Sequence, residues 1–334
     1  MYPTLPADSY QKEPTSESMI RDISDFRTLK FFASYINSRS HNQPIGNLFF
    51  NEKATLKKVL INYLVSEYRD PVTRGNIIDE LLKTANNNLI QIEEFDWLKE
   101  NENACCAIWG YLSSTPNKLL NINSQNNLFP IQYPEAIFYH QLQINPMPTS
   151  NLERFECIRN YFDLWINTSA SIKSNFMFSL KNLWISSLKA VKTFTWLTKA
   201  EKEQCEWAWN YLNDYHRKET AELRPGIRSI NSFNPINDHE KFLAIYAALR
   251  IWRPHIAEKN QFIRNINRAW RERQRRKEQE DKKVINTYVS IKVKQKLDLL
   301  ARYNRCKINE VLSDLINKEY KRLEDDIKQK LNIE

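Results

Sequence analysis

The stretch KKVINTYVSIKVKQKLDLLARYNRCKINEVLSDLINKEY, residues 282–320, decides how this chain is read, because its hydrophobic period changes twice. Ile285, Thr287 and Val289 alternate with Asn286, Tyr288 and Ser290, the period of two of a strand with one buried and one exposed face. Val293, Leu297, Leu300 and Ala301 then recur at three and four residues, as on one side of a helix. Asn304, Arg305, Cys306 and Lys307 interrupt that stripe, and Ile308, Val311, Leu312, Leu315 and Ile316, followed by Glu319 and Tyr320, restart it. The order is strand, helix, turn, helix. So short a strand cannot satisfy its own backbone. The economical solution is a homodimer in which two strands pair antiparallel and four helices close a small core. An ordinary strand and two helices inside a larger α/β core is the alternative.

This order resembles the ribbon-helix-helix family of DNA-binding proteins, matching its pattern without gaps over residues 285–319. The resemblance implies that the paired strands enter the major groove of double-stranded DNA, with Asn286, Tyr288 and Ser290 reading base edges and Ile285, Thr287 and Val289 facing the core. It also implies that the turn at Lys307, Ile308 and Asn309 presents a helix N-terminus to a phosphate. Many members carry glycine in the turn between the helices. Arg305 stands there in this chain, so a left-handed residue at that point carries strain.

At 334 residues the chain is long enough for two domains, and 42% apolar and 12% aromatic residues suffice for packed cores. Four glycines and few β-branched runs predict a mostly α fold: helical bundles ahead of the C-terminal ribbon-helix-helix. No run of apolar residues is long enough to span a membrane, and MYPTLPADSYQKEPTSES lacks the order of a secretion signal, so a cytoplasmic protein is expected. Cys105, Cys106, Cys157, Cys205 and Cys306 have no metal-ligand spacing and suit reduced thiols. The net charge is +9, and residues 264–334 hold 20 Lys/Arg against 12 Asp/Glu, so nearly all of the excess is C-terminal. A basic terminal module on a near-neutral body is the footprint of a nucleic-acid binder.

In chain order, residues 1–45 read as a polar arm with a short helix around residues 20–36. Residues 46–200 read as a helical extension with breakers at Asp70–Pro71 and Asn86 to Asn88, and a linker at residues 143–151. A longer loop is expected at residues 222–238. An internal repeat crosses this region: Phe95, Trp97, Leu98, Cys105, Trp109, Tyr111 and Leu112 recur as Phe194, Trp196, Leu197, Cys205, Trp209, Tyr211 and Leu212. It reads as a duplicated helical unit whose aromatics belong to a core.

Trp207-Ala-Trp209-Asn-Tyr211-Leu212 with His216-Arg217, then Arg268-Ala-Trp-Arg271-Glu-Arg273 and Lys282-Lys283, are similar to the MatP family of macrodomain Ter organisers. The resemblance runs from about Gln204 to the C-terminus. It implies a helical bundle over residues 201–281 ending in a basic helix that grips DNA beside the ribbon, the ribbon module over 282–321, and a role on the bacterial nucleoid in chromosome organisation. The preceding body has no counterpart there, and the tail, residues 322–334, is short.

The basic helix also stands without the family. Phe262, Ile263, Ile266 and Trp270 form one apolar face, leaving Arg264, Arg268, Arg271 and Arg275 largely on others, and Arg273, Arg275, Arg276 and Lys277 lead toward the ribbon. The expected phosphate contacts are therefore Arg268, Arg271, Arg273, Arg275, Arg276, Lys282, Lys283, Lys307 and Asn309. The competing reading pairs these arginines within the helix with Glu272, Glu278 and Glu280.

No glycine-rich phosphate loop, His–Glu metal spacing or nucleophile elbow occurs, and His41, His140, His216, His239 and His255 are scattered. No catalysis, cofactor or metal is expected. The alternative function is a ribbon-helix-helix repressor, or an antitoxin-like plasmid-maintenance protein whose helical body binds a protein partner. In the tail, Leu323, Ile327 and Leu331 continue the second helix by about two turns, enough to buttress its own dimer.

Overall fold

Two aspartates start the first long helices. After α1 (Ser16–Asp22), Asp25 accepts hydrogen bonds from the Arg27 and Thr28 N–H groups and opens α2 (Phe26–Arg39). Beyond α3 (Lys53–Glu67), Asp70 accepts from Val72 and Thr73 N–H, and Pro71 follows it in the first turn of α4 (Pro71–Asn88). Such caps satisfy donors that the first helical turn leaves open. The apolar faces of these four helices close a small core around Ile20, Leu29, Phe32, Leu56, Leu60, Ile78 and Leu81.

The protein is described by a computed structural model over residues 16–40, 42, 44–46, 52–120, 135–166, 168–192, 194–221, 233–252, 256–279, 283 and 285–331. It divides into two compact units, Met1–Arg268 and Ala269–Glu334. The described residues are mostly helical, and none of their helices is long and apolar enough to cross a membrane.

A larger core in the first unit follows the small one. A short 3-10 turn, Ile92–Phe95, runs into α5 (Asp96–Lys99) and α6 (Glu102–Ser114), and then come α7 (Phe138–Gln141), α8 (Asn151–Asp163) and α9 (Ala170–Ala190). Next are α10 (Lys202–Ala221), α11 (Asp238–Ile251) and α12 (Ile256–Glu278). Every residue of α6 from position 104 to 113 is buried, and α6 lies against α8 and α11. Gly110 inside it is required by contact: a Cβ there would come within 2.2 Å of the Phe233 ring, which also meets Trp109 edge-on. Helical propensity yields to that fit.

The repeat appears as matching local structure. In each copy an aromatic turn is followed by a helix, α6 or α10, and both helices lie against α11. Cys105 N–H donates to the Asn101 carbonyl and Cys205 N–H to that of Glu201, so each cysteine occupies the same place in its first turn. Both are fully buried, with Leu98, Leu112, Leu197 and Leu212 also in the core. The four cysteines of this unit are unpaired, and burial raises the thiols of Cys106 and Cys157 to about 11.

Three boundaries differ from the sequence reading. The helix around residues 20–36 is two helices that help build the small core, where burial outweighs the polar flanks. Residues 143–151 are no linker: the Asn145 carbonyl accepts from the Tyr139 hydroxyl at 2.6 Å, Ile144 and Pro148 are buried, and one core spans both sides. No break falls at residue 200 either, because α10 and α11 share that core with α6. Residues 1–15 and most of the loop expected at 222–238 lie outside the described residues.

Few charged groups join the two cores. Arg27 of α2 donates from Nε and Nη2 to the two carboxylate oxygens of Asp163 of α8 at 2.9 and 2.7 Å, and from Nη2 to the Ile90 carbonyl at 3.0 Å. Lys173 of α9 is fully buried near this pair, its ammonium lacking a hydrogen-bond partner, and burial lowers its pKa to about 7. Within the larger core, Arg154 and Glu240 form a buried ion pair between α8 and α11.

Candidate nucleic-acid interface

The basic helix α12 forms on the expected face. Phe262 and Ile266 are buried in the larger core, Ile263 is partly buried against it, and Trp270 is buried. Arg268 is exposed at the end of the first unit; Arg271, Arg273, Arg275 and Arg276 are exposed in the second.

Two of these arginines are engaged by a carboxylate of the same helix. Arg275 donates from Nε and Nη2 to Glu272 at 2.9 and 2.7 Å, and Arg276 donates from Nε to the same carboxylate at 3.2 Å. Arg275 Nη1 also reaches Gln279 at 2.8 Å. The hydrogen bonds from Arg275, then Arg276, hold the Glu272 carboxyl down to about 2. Glu272 is thus an anion at any working pH. The pairing with Glu272 that the sequence offered as the competing reading is present for these two arginines, because helical spacing places the carboxylate three and four residues before them.

The next segment is extended. Residues 285–290 make no ladder, and the expected strand does not form within one chain. So short an extended segment cannot satisfy its own backbone by itself. All six residues are exposed, Ile285 at 74% and Tyr288 at 104%, so both the expected core face and the expected reading face are open. Lys283 is exposed as well, while Lys282 and Glu280 lie outside the described residues.

Ser290 closes the extended run and opens α13 (Ile291–Asn304), its hydroxyl accepting from Val293 N–H at 3.4 Å. This cap uses an acceptor lone pair and leaves the O–H as a donor. At the other end Arg305 adopts φ 51°, ψ 38°, the left-handed conformation that its place in the turn requires. Cys306 N–H reaches back to the Ala301 carbonyl and Arg305 N–H to that of Arg302, the paired bonds of a Schellman cap. A side chain there costs about 1 kcal/mol relative to glycine.

Lys307 precedes α14 (Ile308–Leu331), which continues past Leu323 and Ile327 to Leu331 as expected. Its N-terminus holds a residue that the site reading missed. Glu310 accepts from the Lys307 N–H at 3.0 Å, half of a capping box, because lysine has no acceptor to return the bond. The signal was present as the three-residue spacing from Lys307 to Glu310. Asn309 is exposed in the same turn.

The apolar stripes of this unit are uncovered. Val311 is buried, but Val293, Leu300, Leu312, Leu315, Ile316 and Tyr320 are all exposed, and α13 has no buried residue. Elsewhere, no group of three His, Cys, Asp or Glu able to hold a metal occurs among the described residues, and His41 and His255 lie outside them. Comparison of the chain with protein-family models, with curated proteins and with solved structures gives no match.

Proposed function

We propose that the chain acts as a homodimer that binds double-stranded DNA sequence-specifically, residues 285–290 of two copies pairing into a ribbon for the major groove, in a chromosome-organising role like that of the MatP family. One observation carries the reading. An extended, exposed run without a ladder leads into two capped helices whose apolar side chains are largely exposed among the described residues. Water is a poor environment for that surface, and a second copy supplies both the missing strand and the missing core in one step.

In this reading Asn286, Tyr288 and Ser290 face base edges, while Arg268, Arg271, Arg273, Arg275, Arg276, Lys283, Lys307 and Asn309 lie along the backbone, fixing register without reading sequence. The C-terminal concentration of positive charge supports the assignment. The setting is the nucleoid of a bacterial cytoplasm.

The test has two arms. Light scattering of the full chain reports the dimer, and chromatin immunoprecipitation with sequencing reports its sites. Many dispersed copies of one palindrome support an organiser, whereas a single site beside its own gene makes the protein a local repressor. A monomer that binds no duplex at low salt overturns the proposal.

A further inference from the structure

Two of the places where the proposed DNA backbone contact falls already hold a carboxylate of the chain itself. Glu272 takes Arg275 and Arg276 at 2.7 to 3.2 Å, and Glu310 takes the Lys307 N–H at 3.0 Å. These are separate elements, α12 and α14, with the same arrangement: a phosphate-seeking donor and an internal anion already on it.

We infer that Glu272 and Glu310 are built-in counter-ions that compete with the DNA backbone and hold the affinity for any duplex low, an inference that rests on the DNA-binding reading above. An approaching phosphate meets arginines whose charge is partly spent, beside a carboxylate that repels it. It must either take donors away from Glu272 or share them at close range. At Lys307 the choice is the same. The resulting penalty does not depend on base sequence, because neither carboxylate has a base edge to read. It falls on random and preferred duplex alike, so the protein leaves random DNA more readily and the ribbon contacts account for most of its residence at a preferred site.

Size follows from Coulomb interaction. A carboxylate about 7 Å from a phosphate, in a partly screened surface setting, weakens binding by roughly three- to tenfold. Releasing an arginine for a full phosphate contact steepens log affinity against log salt by about 0.9.

Isosteric amides separate charge from shape. Glu272→Gln and Glu310→Gln keep a hydrogen-bonding side chain at each position and remove its charge. Glu319→Gln is the control: Glu319 makes the same kind of surface pair with Arg322, three residues on, about 16 Å along α14 from its first turn at 1.5 Å per residue. Binding of each full-length variant to a random-sequence duplex is measured across a salt series. The expected result is a three- to tenfold gain for Glu272→Gln with a salt slope steeper by 0.9 to 1.8, a similar gain for Glu310→Gln, and no change for Glu319→Gln. If the wild type binds DNA and either test variant matches it, that carboxylate is no counter-ion. A gain as large for Glu319→Gln means that net charge alone is at work and overturns the inference. If the wild type and the amide variants all fail to bind duplex at low salt, the DNA-binding reading itself is the one that falls.

Discussion

Ile316→Ala tests the dimer where its energetics can be worked from the lone chain. Isoleucine to alanine removes about 2.4 kcal/mol of burial at roughly 0.8 kcal/mol per carbon. In the single chain Ile316 is 56% exposed, so only that share is left for a second copy to cover. The interface therefore loses about 1.3 kcal/mol per subunit, and a two-fold interface contains the substitution twice. The sum, about 2.7 kcal/mol, raises the dimer dissociation constant about 100-fold. Sedimentation equilibrium of the full-length chain measures this, with a thermal melt to establish that the variant folds. Phe178→Ala is the control, since Phe178 is 65% exposed on α9 of the body, outside the module. A dissociation constant for Ile316→Ala within about twofold of wild type, or an equal loss for Phe178→Ala, refutes a dimer built on the ribbon module.

On the expected reading face, Asn286→Ala or Tyr288→Ala should cost about 1–3 kcal/mol on the preferred site and relax the preference at one base position; competition binding with single-base variants checks this, and unchanged selectivity in both rejects the assignment. Arg305→Gly should raise stability by about 0.5–1 kcal/mol, because the left-handed cap at φ 51° then needs no side chain; a lower melting temperature would show that the arginine earns its place some other way. Lys173 gives a pH test. Its folded pKa, about 7, lies below the ordinary lysine value of 10.5, so between these values the unfolded chain binds more protons and stability rises with pH. The neighbours Asp163 and Arg27 act on it in opposite directions, and burial dominates both. Below pH 7 the buried charge is fully present, and Lys173→Met should stabilise the protein by something on the order of 3 kcal/mol at neutral pH while flattening the rise toward pH 10; denaturant melts at pH 6, 8 and 10 read both, and a parallel rise in the variant would clear Lys173.

What the sequence made legible was whatever has a period. The buried face of α12, the break at Asn304 to Lys307 and the helix into the tail all follow from spacing along the chain, and so does the repeat, whose two aromatic turns each start a helix; the left-handed residue at Arg305 was implied by the family resemblance. What stayed hidden depends on partners far apart in the chain. Arg27 and Asp163 are 136 residues apart, and nothing in either neighbourhood announces the other. The domain boundaries went astray for the same reason: polar and proline-bearing composition suggested a linker at 143–151, while Tyr139 and Asn145 tie that segment down. The site lies between these cases. Its residues could be placed by pattern, and Glu272 could be named as a competitor for the arginines from helical spacing. The expected strand is absent among the described residues: residues 285–290 are extended and exposed and make no ladder.

The division of the first unit between two hydrophobic clusters has a consequence for how it opens. The small cluster of α1 to α4 meets the rest through a few helix contacts and the Arg27–Asp163 clasp, while the larger cluster runs continuously from Ile90 to Ile266. Cooperativity follows buried contact, so the N-terminal helices form a separate unfolding unit of lower free energy. Native-state amide exchange would resolve two levels of protection within one unit, with helices α1 to α4 exchanging through partial opening while α6 and α11 wait for global unfolding.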